Sequence, residues 1–283
     1  MNPKERNETI AHLNRAPLDE MPFQEVKKHI SSLLKGIELR PVSSMPGSSL
    51  FRAVNVKDEP KPTNVSRLSY PRAEFVKGYQ RCNARGKPMF YASQSPLTIL
   101  MELEAKVDDV FYLSTWRTEK LFKMWLLPKV EVRNPNSHSD IVLSVFDTWF
   151  TTPVRADFSH RYKLTAAIAE IFSTEPMGGV MYTSVAHKER LLNVALRPKI
   201  VDDCLLLRRV SAIQIVEAKD DQSKVTFKEL DFSDSFEADG SINWRGKGRD
   251  YKGVNVQRNA QGIYEARDED GKIVDVFTNV GSP

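Results

Sequence analysis

Four side chains with the chemistry of a nucleotide site lie close together in the stretch GYQRCNARGKPMFYASQSPLTILMELEA, which covers residues 78–105. Arg81 and Arg85 stand in a basic loop, and a guanidinium group can bind a phosphate through two parallel hydrogen bonds. Tyr91 offers an aromatic face, and Glu102 offers a carboxylate eleven residues later. A cation, an aromatic ring and a carboxylate in this order indicate a nucleotide-binding site. A solvent-exposed arginine in a surface loop is the simpler interpretation of Arg81.

The segment SPLTILMELEAK is predicted to be the helix that carries Glu102, with Ser95 as its N-cap and Pro96 in its first turn. Apolar residues occupy nearly every side of this helix, which is typical of a buried helix. Because an unpaired buried carboxylate is costly, Glu102 is expected to meet a cation, a hydrogen-bonding network or a water-lined cavity. A surface ion pair with Lys106, one turn further on, is the simpler alternative.

The composition is that of a globular protein and disfavours several other classes. The chain has 283 residues, of which 41% are hydrophobic and 28% are charged, so a sizeable core is expected and extensive disorder is not. A net charge of +4 permits a local anion site without indicating a nucleic-acid-binding protein. The charged N-terminus lacks the apolar run of a signal peptide, and no stretch is long enough to span a bilayer. We therefore predict a cytoplasmic protein without membrane contact.

Metal and disulfide chemistry find little support in the sequence. Cys82 and Cys204 lie far apart, and two thiols in a chain of this length do not form a disulfide framework, so a reducing compartment is predicted. The five histidines are scattered without zinc-ligand spacing. The sequence also lacks Gly-rich loops of the Rossmann or P-loop type. We predict neither a metal site nor a bound cofactor.

Helices and strands are predicted from the spacing of apolar residues and from turn signals. The segment from about Asp19 to Lys35 has helical spacing with Asp19 as its cap, and SHRYKLTAAIAEIFST is a second helix with Ser159 as its cap. The first half of SDIVLSVFDTWFTTPV is a third helix. Strands are predicted for SSLFRAVNV, PMFYAS, VFYLSTW, KMWLLPKVEV, GGVMYTS, LLNVALRP, CLLLRRVSAIQIVEA and KVTFKELDF. The predicted fold class is α+β.

The chain is predicted to divide into three segments. Residues 1–45 are interpreted as an N-terminal helical extension, residues 46–232 as the main domain, and residues 233–283, rich in Gly and Asp, as a C-terminal β-hairpin or tail. The terminal helix and the terminal hairpin could serve as contacts in a homodimer or with a partner protein.

The order of four motifs resembles the RES domain, a bacterial family named for an arginine, a glutamate and a serine. The motifs are FRAV, YQRCNARGKPMFYAS, the helix ending LMELEA, and VMYTSVAHKERLLNVAL, and together they span Phe51 to Pro198. The residues that match the family pattern are Arg52 in FRAV, Arg81 in RCN, Tyr91, Glu102, Ser184 in YTS and Asn193 in the following strand. Two positions depart from it: Ala53 stands where some members have an aromatic residue, and Thr183 replaces a common proline.

The resemblance implies a fold like that of the ADP-ribosyltransferase toxins, with a split mixed or antiparallel β core and surrounding helices. It also implies the toxin of a toxin–antitoxin pair, one that breaks the nicotinamide–ribose bond of NAD and depletes it. NAD is then a substrate and not a cofactor, and the acceptor is phosphate or water. An antitoxin with a helix-turn-helix domain is the implied partner, and residues 46–232 become the RES-like catalytic domain.

The resemblance also implies a role for each matched residue. Glu102 would stabilise the positive charge that develops on the ribose, while Arg52 and Arg81 would hold the pyrophosphate. Tyr91 would stack on nicotinamide or shape its pocket, and Ser184 would orient the ribose or a nearby arginine. The predicted catalytic residues are Glu102, Arg52 and Ser184, and the predicted substrate-binding residues are Arg81, Tyr91 and Asn193.

Two other functions fit the same sequence. With a protein side chain as the acceptor, the chain would be a protein ADP-ribosyltransferase. The acidic residue that arginine-specific transferases often have two positions before the glutamate is Leu100 here, which favours NAD breakdown. In the second alternative, a non-catalytic module binds nucleic acid or a protein through a basic tail with Arg245, Lys247 and Arg249 as contacts.

Overall fold

The computed structural model describes residues 1–39, 41–55, 60–102, 106–127, 134, 137–184, 192–218, 224–248, 254–258, 264–267 and 272–277. The protein is α+β, with helices packed on a large mixed sheet. Its α-helices within these ranges are α1 (Pro3–Arg15), α2 (Phe23–Leu33), α3 (Pro96–Glu102), α4 (His138–Thr151), α5 (Tyr162–Phe172) and α6 (Pro198–Cys204).

The described strands join into one sheet. They are β1 (Pro41–Ser44), β2 (Ser49–Asn55), β3 (Phe90–Ser93), β4 (Val110–Thr118), β5 (Phe122–Leu126), β6 (Gly179–Thr183), β7 (Leu192–Leu196), β8 (Leu205–Ala218), β9 (Lys224–Ser233), β10 (Val254–Arg258), β11 (Tyr264–Arg267) and β12 (Ile273–Phe277). Their order is β1-β5-β6-β7-β3-β2-β4-β8-β9-β10-β11-β12. Strands β5 and β6 are parallel, and the other neighbouring pairs are antiparallel.

The sheet splits between β2 and β3, near its middle. These two strands meet at a single residue pair, Phe51 with Ser93, whereas β2 pairs along its whole length with β4 and β3 along its whole length with β7. Past that pair, the residues of β2 from Arg52 onward and those of β3 from Ala92 back to Phe90 do not pair with each other. The split therefore leaves an opening between two strand edges, and α3 packs beside it against both strands.

Alternating residues of β6 and β7 place a hydrophobic core on each face of the sheet. Val180, Tyr182 and Ala195 face a core formed with α1, α2, α4 and α5, while Met181 and Val194 face a second core. This alternation follows from the two-residue period of a strand. Residues 1–45, predicted as an extension, contribute α1 and α2 directly to the first core; the division into three segments stays a prediction.

Most of the predicted elements are present, several with different ends, whereas α1, β1 and α6 were not predicted. Helix α2 begins at Phe23 after Pro22, so the predicted cap Asp19 is wrong, and Ser159 lies inside a 3-10 helix that runs directly into α5 and removes the need for a cap there. Helix α4 runs from His138 to Thr151 and so continues well past the first half of the segment 139–154, the only part that was predicted to be helical. The C-terminal hairpin is instead three strands that continue the sheet beyond β9.

Gly179 in β6 gives a test of how closely β6 and β7 pack. A Cβ atom at this position would overlap the carbonyl oxygen of Ala195 in β7, so the two strands would have to move apart. We expect Gly179→Ala to lower the free energy of unfolding by about 2 kcal/mol or more, as overpacking does in cores. Urea denaturation measures this, with Gly78→Ala as the control because a Cβ there meets nothing within 4 Å. Equal stability of the two variants would contradict this strand packing.

Candidate functional site

A cavity of about 160 Å³ lies where β2 and β3 diverge. Because a cavity of about 150 Å³ can hold one benzene molecule, this cavity has room for a single six-membered ring. Its walls are mostly apolar or aromatic, with a few polar groups, which is typical of small-molecule sites. The residues that line it are Arg52, Ala53, Tyr91, Ala92, Ile99, Glu102, Tyr182 and Asn193.

Arg52 supplies a half-buried positive charge to this cavity. Its Nη1 donates to the carbonyl oxygen of Tyr91 at 2.9 Å and its Nε to that of Leu68 at 3.1 Å, and the guanidinium lies 5.4 Å from the ring centroid of Phe90. Burial lowers the pKa of Arg52 to about 10. Within the described residues no carboxylate forms an ion pair with it. A partly desolvated cation whose hydrogen bonds go to neutral groups favours an anionic ligand.

Glu102 lies at the cavity as the last residue of α3, and strands β6 and β7 hold its carboxylate. Oε1 accepts a hydrogen bond from Ser184 Oγ and a second from Asn193 Nδ2 at 2.9 Å. Ser184, which follows β6, is 1% exposed, and Asn193 in β7 is 8% exposed. Asn193 is paired with Tyr182 in β6 and with Ser93 in β3. The register of three strands therefore fixes the groups that orient this carboxylate.

The expectation that Glu102 is buried is wrong, because the residue is exposed. Helix α3 has seven residues, and Glu102 ends it at the mouth of the cavity, whereas Thr98, one turn earlier, is fully buried. The predicted N-cap bond is also missing, since Ser95 Oγ has no hydrogen-bond partner within the described residues. Of the three predicted environments, Glu102 has the hydrogen-bonding network.

Tyr91 and Tyr182 form aromatic walls of the cavity. The hydroxyl of Tyr91 accepts a hydrogen bond from the backbone N–H of Cys82 at 2.9 Å and donates one to Asn83 Oδ1 at 2.7 Å. Burial raises the pKa of both phenols well above the usual value. The two tyrosines can therefore offer ring surface to a ligand, but neither is suited to proton transfer near neutral pH.

Arg81 does not line the cavity. Its Nη1 donates to the carbonyl oxygen of Phe150, and its guanidinium lies 5.5 Å from the ring centroid of Tyr162. Phe150 belongs to the last turn of α4, where carbonyl groups lack intrahelical partners and a cation is favourable. Arg85, the other loop arginine, is exposed. Arg81 therefore connects this loop to the last turn of α4.

The structure brings five of the six predicted site residues together, namely Arg52, Tyr91, Glu102, Ser184 and Asn193. Sequence reasoning missed Tyr182 and Asn83. Tyr182 stands two positions before Ser184 in a strand, and this spacing could have placed it on the same face. Asn83 had no comparable signal, because its contact with Tyr91 depends on the turn between them.

A larger cavity, of about 870 Å³, lies elsewhere and contains none of the six predicted site residues. Its polar groups include Tyr70, whose hydroxyl donates to both carboxylate oxygens of Asp202 at 2.9 and 2.8 Å. Burial, together with this hydrogen bond, raises the pKa of Tyr70 to about 12. The smaller cavity is therefore the better candidate site, since it combines an oriented carboxylate with a cation that has no carboxylate partner in the described part of the chain.

The remaining features give less support to other activities. Within the described ranges, three or more His, Cys, Asp and Glu side chains are nowhere grouped so that they could hold a metal ion. No helix in the same ranges is both long enough and apolar enough to cross a membrane. In the basic tail, Arg245 donates to Asp234 at 2.6 Å, and Arg249 lies outside the described residues.

Comparison with protein families and with curated proteins gave no match.

The half-buried charge of Arg52 predicts that the free protein binds a small polyanion. We expect pyrophosphate to stabilise the folded protein by about 1.4 kcal/mol at ten times its Kd, because a ligand that binds only the native state shifts the unfolding equilibrium. Arg52→Gln should abolish this stabilisation, and Arg155→Gln, which changes a surface arginine paired with Asp157, should keep it. Thermal unfolding with and without pyrophosphate measures the effect. An equal shift in Arg52→Gln would contradict the assignment.

Proposed function

We propose that this chain cleaves the bond between nicotinamide and ribose in NAD, the activity implied by the resemblance to the RES domain. The observation that carries the proposal is one arrangement of charges at a ring-sized cavity. The carboxylate of Glu102 is oriented at its mouth by Ser184 and Asn193, and the half-buried Arg52 lies in its wall without a carboxylate partner among the described residues. A cationic sugar and an anionic phosphate next to each other fit these two groups.

The leaving group determines which protein groups are useful. When the C–N bond to the pyridinium breaks, its electron pair stays with nicotinamide, which leaves as a neutral molecule. The ribose carbon becomes electron-poor, as in glycoside hydrolysis generally. Glu102 would stabilise this charge and accept hydrogen bonds from the ribose hydroxyls, and a carboxylate already held by two donors needs little reorganisation. An oxygen of phosphate or water then forms the new bond to carbon, and an attacking water releases one proton to the solvent.

The size of the cavity limits what can enter it. About 160 Å³ accommodates the nicotinamide ring but not the whole dinucleotide, so the remainder of NAD would lie across the opening of the sheet. The rings of Tyr91 and Tyr182 would contact nicotinamide, and Arg52 would face the nearer phosphate. Arg81 is left out of this set because its guanidinium holds Phe150.

The proposal also covers the type of fold and the partner protein. The split between β2 and β3 supports a fold of the ADP-ribosyltransferase type, in which a substrate would lie in the opening of the β core. We also propose that the chain is the toxin of a toxin–antitoxin pair and that its partner is an antitoxin with a helix-turn-helix domain. The acceptor of the ADP-ribosyl group is phosphate or water. These points rest on the RES resemblance.

The acceptor and the reaction are tested together with labelled NAD. Purified protein should release nicotinamide from NAD, and the ribosyl product should be ADP-ribose in water alone or its 1″-phosphate when phosphate is present. Label that remains on the protein or on an added protein substrate would instead favour a protein ADP-ribosyltransferase. Intact NAD under all conditions would overturn the proposal.

Glu102→Gln tests the central assignment. The amide has almost the same shape but no negative charge, so we expect kcat for nicotinamide release to fall by about a hundredfold, as when other transition-state charge contacts are removed. Glu74→Gln, at an exposed position paired with Arg72, should retain normal turnover. Equal urea midpoints for the two variants would show that both are folded. Turnover of Glu102→Gln within about twofold of wild type would remove Glu102 from this role.

A further inference from the structure

Asn83 is buried, and within the described residues only one of its two polar side-chain groups has a hydrogen-bond partner. It is 3% exposed, and its Oδ1 accepts the hydrogen bond from the Tyr91 hydroxyl at 2.7 Å. Its Nδ2 is buried without a hydrogen-bond partner within the described residues. A buried N–H group without a partner is unfavourable, so stability alone would favour an apolar side chain here. The carbonyl oxygen is the part of Asn83 that the structure uses.

The turn that presents Asn83 is fixed on several sides. Gln80 and Asn83 exchange backbone hydrogen bonds of 3.0 and 3.3 Å across the turn. Arg81 holds the turn to the end of α4, and Lys87, further along the same loop, donates to Glu170 of α5 at 2.8 Å. Asn83 Oδ1 and the N–H of Cys82 are therefore nearly fixed points relative to the helices.

The hydrogen bonds between the Tyr91 hydroxyl and these two groups determine how the ring of Tyr91 is oriented at the cavity. The Tyr91 hydroxyl uses its proton on Asn83 and a lone pair on Cys82, while the Tyr91 backbone is held by β7. The carbonyl oxygen of Tyr91 also accepts a hydrogen bond from Arg52. With both ends held, the ring keeps one orientation, and that orientation forms a wall of the cavity beside Arg52.

We propose that Asn83 is a positioning residue, which anchors the Tyr91 hydroxyl so that the ring is preorganised for the nicotinamide ring. This rests on NAD cleavage as the function of the site. Asn83 lies behind Tyr91 and does not line the cavity, so it acts on the substrate only through Tyr91. Its effect belongs to substrate binding, which preorganisation strengthens, and not to the bond-breaking step.

A double-mutant cycle tests this. Asn83→Ala and Tyr91→Phe should each raise the KM for NAD about two- to tenfold, the range expected from one neutral hydrogen bond, with kcat within about twofold of wild type. Because both changes remove the same bond, Asn83→Ala/Tyr91→Phe should be no worse than the worse single variant. If the two increases in KM multiply, Asn83 acts by another route and the proposal is overturned. A fall in kcat with KM unchanged also overturns it.

A matched control separates positioning from a general loss of stability. Asn64 likewise uses its side-chain oxygen as an acceptor, from the backbone N–H of Ser66 at 3.0 Å. Its Nδ2 donates to the carbonyl oxygen of Asp239 at 3.0 Å, and it lies away from the cavity. Asn64→Ala should lower the urea midpoint and leave KM within about twofold of wild type. A rise in KM equal to that of Asn83→Ala would overturn the positioning role.

Failure of the proposed function can be told apart from failure of this inference. If wild-type protein releases no nicotinamide, the function fails, and the cycle is scored on the urea midpoint instead. A double variant no less stable than the less stable single variant still supports the Asn83–Tyr91 anchor. Additive losses of stability overturn it. If nicotinamide is released but the effects on KM multiply, only the inference about Asn83 fails.

Discussion

The gap between β2 and β3 is the constraint on which the candidate site depends. A continuous ladder of hydrogen bonds would close the sheet and leave no space for a ligand. Instead, the two strands share one residue pair, and the Arg52 guanidinium satisfies the Tyr91 carbonyl at the gap. A charged side chain thus replaces part of a backbone ladder. The substitution leaves both an opening and a half-buried charge, because backbone carbonyls supply hydrogen bonds without neutralising a cation.

The carboxylate side of the site depends on strand register in the same way. Ser184 and Asn193 are almost fully buried, and both donate to one oxygen of Glu102. Since donors buried without a partner are unfavourable, the carboxylate stabilises the strand ends as much as the strands orient the carboxylate. A shift of one residue between β6 and β7 would turn Asn193 to the opposite face and break the set. Glu102 itself is exposed, but Ser184 and Asn193, which donate to its carboxylate, are buried. Its exposure is therefore compatible with a carboxylate held in one orientation.

The elements and the main site residues follow from local sequence patterns, but the contacts between distant segments do not. Alternating and helical spacing identified most strands and helices, and the motif order placed Arg52, Glu102 and Asn193 in one site. The exposure of Glu102 was mispredicted because apolar residues surround it in sequence, while the end of α3 leaves it at the surface. The partner of Arg81 lies 69 residues away at the end of α4, a contact that no local pattern encodes. Local patterns predict which face of a helix or strand is apolar and where the element ends. These errors instead concern the tertiary contacts that each face makes.

The carboxylate of Glu170 is one of the groups that couple the N-terminal helices to the site loop. Glu170 of α5 accepts from Lys27 of α2 at 2.6 Å and from Lys87 of the site loop at 2.8 Å. Burial alone would raise the pKa of Glu170, but the two lysines outweigh it and lower the pKa below its usual value. A lowered pKa means that this contact stabilises the fold above the ordinary glutamate pKa and is lost as the pH falls through the folded value. Because α1 and α2 share the core of α5, the orientation of the loop that carries Asn83 depends on residues far outside the motifs that first indicated the site.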